Sequence, residues 1–251
     1  MLEDDFNDVL GKSMRGHGLS ATELAEKTGC SAEQINACLS GKMNEKIITA
    51  CSEILSLNAE RLIALESYQP SISTPPDVQM FTSDYGHLGV NAYLIETQNH
   101  VLIFDTGTDS SDCLNALNSI QGKSQHLFIT HNHPDHTACV TDFPEALVYS
   151  PHFPHGEALH FDDLSITCLD VAGHCSPANA FYIEGLSAPI CIIGDAVFAG
   201  SIGGCPSPSA YKTALKNIRQ HILTLPADTI LCSGHGPLTT VQNEMSHNPF
   251  I

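Results

Sequence analysis

Apolar residues recur every three or four positions through the first quarter of the chain, and in short β-rich runs through the rest. A first helix is predicted from Asp4 to Met14. Ser20 and Glu23 form a capping box that opens a second helix, which Gly29 closes. Ser31 and Gln34 form another, opening the run Gln34 to Leu39 that Gly41 closes. Ile47 to Leu57 and Ala59 to Leu65 read as two more amphipathic helices. Residues 1–67 are therefore expected to be all-α. Residues 68–77 are expected to be a linker, because Pro70, Pro75, Pro76 and the intervening serines disfavour both helix and central strand. From Val78 the pattern turns to strands: Val78–Thr82, Asn91–Glu96, His100–Phe104, a run ending at Thr130, Ala146–Tyr149, Leu164–Leu169, Ala180–Ile183, Ile190–Ile193 and Thr229–Cys232. Helices are predicted over Asp112–Ile120 and Ala210–Leu223. Strands first in meander and then interleaved with helices fit an α+β domain over 78–251, two sheets packed face to face with helices outside.

The apolar run His126 to Thr130 stops abruptly at His131-Asn132-His133-Pro134-Asp135-His136. Residues two apart on an extended segment point the same way, so His131 and His133 can share one ion. Pro134 ends the strand and suits the first turn of a short helix, which carries Asp135 and His136 about one ion's width further along. His and carboxylate are the usual ligands of divalent metals, and four of them within six residues at a strand end predict two neighbouring metal positions.

Composition narrows the classes. A chain of 251 residues suffices for one large α/β domain and a small one. The sequence has neither an apolar run long enough to span a membrane nor a signal-peptide pattern, and its ten cysteines include no C-x-x-C pair. Reduced thiols in a cytoplasmic protein are expected. Net charge is −18. Residues 1–70 hold 6 basic and 11 acidic side chains, a balance of −5, and residues 71–251 hold 4 and 17, a balance of −13. Such a field repels phosphate backbones and anionic lipid.

The His-x-His-x-Asp-His stretch resembles the signature of the metallo-β-lactamase-fold hydrolases, and later pieces match that superfamily in order. Asp105-Thr106-Gly107 resembles the first motif, whose Asp supports the metal loop. Gly173-His174-Cys175-Ser176, Gly194-Asp195-Ala196-Val197-Phe198 and Ser233-Gly234-His235-Gly236-Pro237 resemble the remaining ones. The resemblance covers residues 78–251 and implies an αββα sandwich. It implies one ion on His131, His133 and His174, a second on Asp135, His136 and His235, and Asp195 bridging both. The other nine histidines, His152 and His155 among them, have no partner at ligand spacing and are expected to be surface or supporting residues. Residues 6–65 resemble the helix-turn-helix of the Cro/C1 repressor class. That resemblance makes the helix after Ser31 the reading helix, with Gln34, Asn36 and Lys42 as candidate DNA contacts. The helix carries no Arg or Lys, so a bundle that packs on the metal domain or on a second chain is the reading the charge favours over DNA binding.

Two neighbouring ions would lower the pKa of a shared water and polarise a carbonyl or phosphoryl oxygen; the nucleophile expected is a bridging hydroxide, oriented by Asp135, which accepts its proton. An Asp at 195 departs from the β-lactamase branch, which generally has Cys there. Scarce basic residues argue against a nuclease. The segments Phe198–Gly203 and Leu225–Phe250 look like the short glyoxalase II-like hydrolases, which implies thioester or ester hydrolysis with two divalent ions, zinc ahead of iron or manganese. Gly203-Gly204-Cys205-Pro206 stands where that branch continues Gly-Arg-x-Asp, and Ile251 follows soon after the last motif. Both departures weigh against a glutathione thioester. The alternatives are a mononuclear iron persulfide dioxygenase and a DNA-binding regulator that senses a metabolite through its metal domain. The expected partners are a small-molecule substrate and a second copy of the chain, with no membrane.

Overall fold

The computed structural model of the chain describes residues 1–86 and 88–251. Helices come first: α1 (Phe6–His17), α2 (Ala21–Thr28), α3 (Ala32–Leu39), α4 (Glu45–Leu55) and α5 (Ala59–Ala64), with a 3₁₀ turn over Leu65–Ser67. The capping chemistry sets the boundaries. Ser20 N donates to Glu23 while Glu23 N donates to Ser20 Oγ, and the Ser31–Gln34 pair does the same. Asp5 N donates to Asp8 Oδ2, so α1 opens two residues later than the apolar pattern suggested and runs on to Gly18, whose φ of 66° ends it. Asn44 caps α4, which opens at Glu45 rather than Ile47. Residues 68–77 run as a loop.

Strands β1 (Val78–Tyr85), β2 (Leu88–Glu96), β3 (His100–Phe104), β4 (Ser124–Phe128) and β5 (Leu147–Tyr149) form one sheet in that order, the first three antiparallel and the last three parallel. Helix α6 (Ser111–Asn118) joins β3 to β4, and the short α7 (Pro134–Thr137) follows β4. The second sheet takes β6 (Ala158–Phe161), β7 (Leu164–Asp170), β8 (Asn179–Glu184), β9 (Ile190–Gly194), β12 (Ile230–Ser233) and β13 (Thr239–Thr240). It is mixed: β12 runs parallel to β9, and the other neighbours are antiparallel. A tight hairpin, β10 (Val197–Phe198) with β11 (Ser201–Ile202), precedes helix α8 (Pro208–Asn217), and α9 (Val241–His247) follows β13. Among the described residues no helix is long and apolar enough to cross a membrane.

Strand alternation sorts the side chains into layers. Leu102, Phe104, Tyr93 and Phe128 of the first sheet meet Ile166, Phe181, Ile192 and Cys232 of the second. Val101 and Ile103 point the other way, onto Cys113 and Leu117 of α6. The outer face of the second sheet carries Leu169, Ala180, Cys191, Ile193 and Leu231, and these share one continuous apolar cluster with Val9, Leu10, Leu24, Ile48, Leu55 and Leu62 of the first helices. Those helices, with α8, are thus the fourth layer. Tyr211 of α8 donates to or accepts from Ser13 Oγ at 3.2 Å, and Gly16 lies flat on its ring: a Cβ there would sit 2.4 Å from Tyr211 Cγ. Each fully buried Leu or Ile in this layer contributes roughly 1.5–3 kcal/mol, so the contact fixes the helices firmly on the sheet.

The expected fold class is the observed one. The pattern did not reveal β6, β13, the β10–β11 hairpin or α9, which are all short, and β6 alternates exposed with half-buried positions before Phe161. Helix α8 opens at Pro208, capped by Ser207, and passes into a π-helical turn over Ile218–Ile222 instead of continuing to Leu223 as an α-helix.

Candidate metal centre

The loops after β3, β4, β7, β9 and β12 deliver Asp105, the His131–His136 segment, His174, Asp195 and His235 to one place. His131, His133, His174 and Asp195 form one group whose ligand atoms lie within 4.8 Å of one another, and Asp135, His136 and His235 form a second. His133 Nδ1 is 3.0 Å from His131 Nε2 and 2.9 Å from His174 Nε2.

Which nitrogens carry protons follows from the partners behind them. His174 Nδ1 donates to Gly204 O at 2.6 Å, His235 Nδ1 to Gly89 O at 2.9 Å and His136 Nδ1 to Asp105 Oδ2 at 2.8 Å. Thr130 spends its hydroxyl proton on Asp105 Oδ2 at 2.8 Å, so it accepts from His131 Nδ1 at 3.0 Å. Four imidazoles therefore turn Nε2 inward, the nitrogen left to a metal once any proton on it is lost. Asp105 governs two of them, one directly and one through Thr130, and Thr130 N fixes its other oxygen at 2.8 Å.

Asp195 stands between the groups. Its Oδ1 is 3.3 Å from His136 Nε2, and its Oδ2 is 3.4 Å from His174 Nε2 and 3.5 Å from His235 Nε2. Asp135 Oδ2 lies 3.2 Å from His235 Nε2 and 3.6 Å from His136 Nε2. Gly234 makes room for this packing, since a Cβ there would fall 2.3 Å from Asp195 Oδ1.

The residues fit divalent cations. His136 Nε2 and Asp195 Oδ1 are buried with no hydrogen-bond partner among the described residues, a costly state that a cation between them removes. The electrostatics say the same. Burial pulls His136 down, yet Asp105 and Asp195 push it up to about 10. Burial likewise opposes charge on His235, but Asp135 and Asp195 raise it to about 11. Burial works against an ionised Asp195, and His136 and His235 hold it well below the carboxylate range all the same. Asp135 is lowered against its burial by His235 and His136. Burial beside His136 pushes His131 down to about 3. The site is built to hold positive charge.

Of the other histidines, His152 and His155 are exposed, and His155 stacks on His221 with ring centroids 3.8 Å apart. His100 Nδ1 and His126 Nε2 are 3.0 Å apart on the strand face near Phe161, away from both groups. His87 lies outside the described residues. Gln34, Asn36 and Lys42 are exposed on and just after α3.

Sequence reasoning missed the other wall of the site. A cavity of about 780 Å³ opens over both groups, and Glu3, Asp4 and Lys12 line it together with Tyr85 and Phe198. Lys12 pairs with Asp4, donates to Ile202 O at 2.9 Å and lies 5.0 Å above the Phe198 ring. Burial lifts the Glu3 carboxyl to about 7 against the pull of His235. Residues 190 positions apart in sequence meet here, and no local pattern announces that.

Residues 85–168 match the model of the metallo-β-lactamase superfamily. The chain is 26% identical over 200 residues to a probable metallo-hydrolase, YqgX, of Bacillus subtilis, a match over 66% of this chain and 94% of that one. It is 30% identical over 158 residues to the hydroxyacylglutathione hydrolase of Photorhabdus laumondii, covering 57% of this chain and 60% of that protein's length. Among solved structures, TTHA1623 in a di-iron-bound form superposes with a TM-score of 0.52 at 26% identity, over 68% of this chain and all of that one. Fold, family-model match and relatives agree, and over residues 85–168 the chain is similar to the metallo-β-lactamase superfamily.

Proposed function

We propose that the protein is a two-metal hydrolase of thioester or ester bonds, with zinc as the metal. The observation that carries this reading is the convergence of seven ligand side chains in two groups, with Asp195 within 3.5 Å of ligands from both. His131, His133 and His174 would hold one ion, Asp135, His136 and His235 the other, and Asp195 both. When bound, such ions polarise a carbonyl oxygen and lower the pKa of water. The chain's own residues do the rest. Asp135, anchored on His235 and kept ionised, orients the attacking water and takes up its proton. Phe198 and Tyr85 flank His235, with ring centroids 5.7 and 6.0 Å away, and give the acyl group an apolar surface. The hydroxyacylglutathione hydrolase relative supports the thioester class.

Elemental analysis together with a panel of thioesters, esters, lactones and phosphodiesters tests the reading. About two ions per chain are expected, because seven ligands exceed one tetrahedral site. A stoichiometry near one with activity intact defeats it. One iron per chain with oxygen consumption on a persulfide gives the place to the dioxygenase reading.

A further inference from the structure

The sandwich alone does not close the cavity over the metal groups; the segment before α1 and the first turns of α1 supply the remaining wall. The charge of that wall can be read residue by residue. Lys12 is its one Lys or Arg, and it is already committed to Asp4, to Ile202 O at 2.9 Å and to the Phe198 ring. Glu3 makes no ion pair among the described residues, although His235 and Lys12 lie near enough to pull on its carboxyl. One of its carboxylate oxygens is sealed from solvent without a hydrogen-bond partner among the described residues. The residue is held in place by its backbone: a Cβ on Gly236, whose φ is 71°, would come within 3.3 Å of Glu3 N, so the two segments pack at glycine distance. The chain's net charge of −18 favours cations.

We propose that this wall selects the substrate by charge, with Glu3 as the specificity-determining residue. The site takes acyl compounds that carry a protonated amine close to the bond that is cut, and it disfavours those that carry carboxylates. The ammonium donates to Glu3, while a carboxylate in the same place meets Glu3 and the Asp4 side of a neutralised pair. This inference rests on the hydrolase reading for its reaction, but its binding arm does not depend on turnover.

The test uses the full chain loaded with metal. Three p-nitrophenyl esters of matched length carry a β-alanyl, a butyryl or a succinyl group: cationic, neutral and anionic. β-Alanine hydroxamate and butyrohydroxamic acid, compared by thermal shift and calorimetry, report binding alone. The native protein is expected to favour the cationic over the anionic ester, and Glu3→Gln to lower the cationic-to-neutral ratio of kcat/KM about tenfold, chiefly through KM, as for one charge-assisted hydrogen bond. The hydroxamate affinity ratio should fall by the same factor, with metal content unchanged. If no ester is cut but the hydroxamate ratio falls, the hydrolase reading fails and the role of Glu3 stands. An unaltered ratio in Glu3→Gln, a native preference for the succinyl ester, or equal or absent binding of the cationic hydroxamate overturns the proposal.

Discussion

Asp105→Asn isolates what the carboxylate behind the metal groups contributes. The position is at φ 57°, a left-handed conformation that Asn tolerates nearly as well as Asp, so the backbone is not the variable. The Asp105 carboxylate accepts from Thr130 N, Thr130 Oγ1 and His136 Nδ1, each at 2.8 Å. An amide keeps one acceptor, on Thr130 N, and turns an NH₂ towards two donors. His136 must then either leave or shift its proton to Nε2, which points at the second group. Thr130 loses its acceptor, and with it the hold on the His131 tautomer. Two bonds to a charged acceptor are worth roughly 1.5–3 kcal/mol each, but relaxation recovers part of that. Losing the group that orients a metal-bound histidine typically weakens metal affinity 10–100-fold, about 1.4–2.7 kcal/mol. Chelator-competition titration of zinc, measured separately for the two sites, reads the effect; the second site should weaken by about that factor and the first by less. Affinity within about twofold of the native value at both sites would show that the relay through Asp105 does not set the tautomers.

Asp195→Ala should remove more metal and activity than His152→Ala, since Asp195 touches both groups and His152 is exposed; equal metal content in the two variants defeats this. In the metal-free chain His136 and His235, raised to about 10 and about 11, are protonated near neutral pH, whereas His131 is not. Metal binding near pH 8 should therefore release about two protons, and apparent affinity should climb with pH towards those values; calorimetry in buffers of different ionisation enthalpy checks it, and no net release refutes it. Gly16→Ala drives a methyl into the Tyr211 ring and should cost about 1–3 kcal/mol in urea unfolding; an unchanged midpoint would mean that the α1–α8 contact gives way freely. Residues 1–67 should not bind duplex DNA tightly at physiological salt, because Gln34 and Asn36 sit on a helix without a cation; a sequence-dependent gel shift at nanomolar protein reverses that.

The metal groups were legible because their chemistry is local. His174, Asp195 and His235 each follow a glycine, and the spacing of His131, His133, Asp135 and His136 puts two candidate positions on a strand end and a helical turn. Thr130 was within reach too, as the residue before the first ligand, but its role needs Asp105 from another loop. Glu3 and Lys12 were not legible. Their sequence context is an acidic start and an amphipathic helix, and what makes them part of the site is a fold contact to Gly236 and Ile202. Helix ends moved by two or three residues wherever a cap, such as Asp5 or Asn44, outweighed the apolar repeat.

The apolar cluster that joins the first helices to the outer face of the second sheet has a consequence for how the chain is made. Val9, Leu10 and Leu24 are synthesised well over a hundred residues before Leu169, Cys191 and Leu231, their partners in the finished molecule. At translation rates of about 5–20 residues per second, that leaves several seconds or more in which the helices have no sheet to cover. Loop closure over such a span is slow compared with helix formation. The nascent chain is thus most exposed to aggregation and chaperone capture until β12 is added, and a ribosome-stalled intermediate ending before Ile230 should be far more protease-sensitive over residues 6–64 than the released protein.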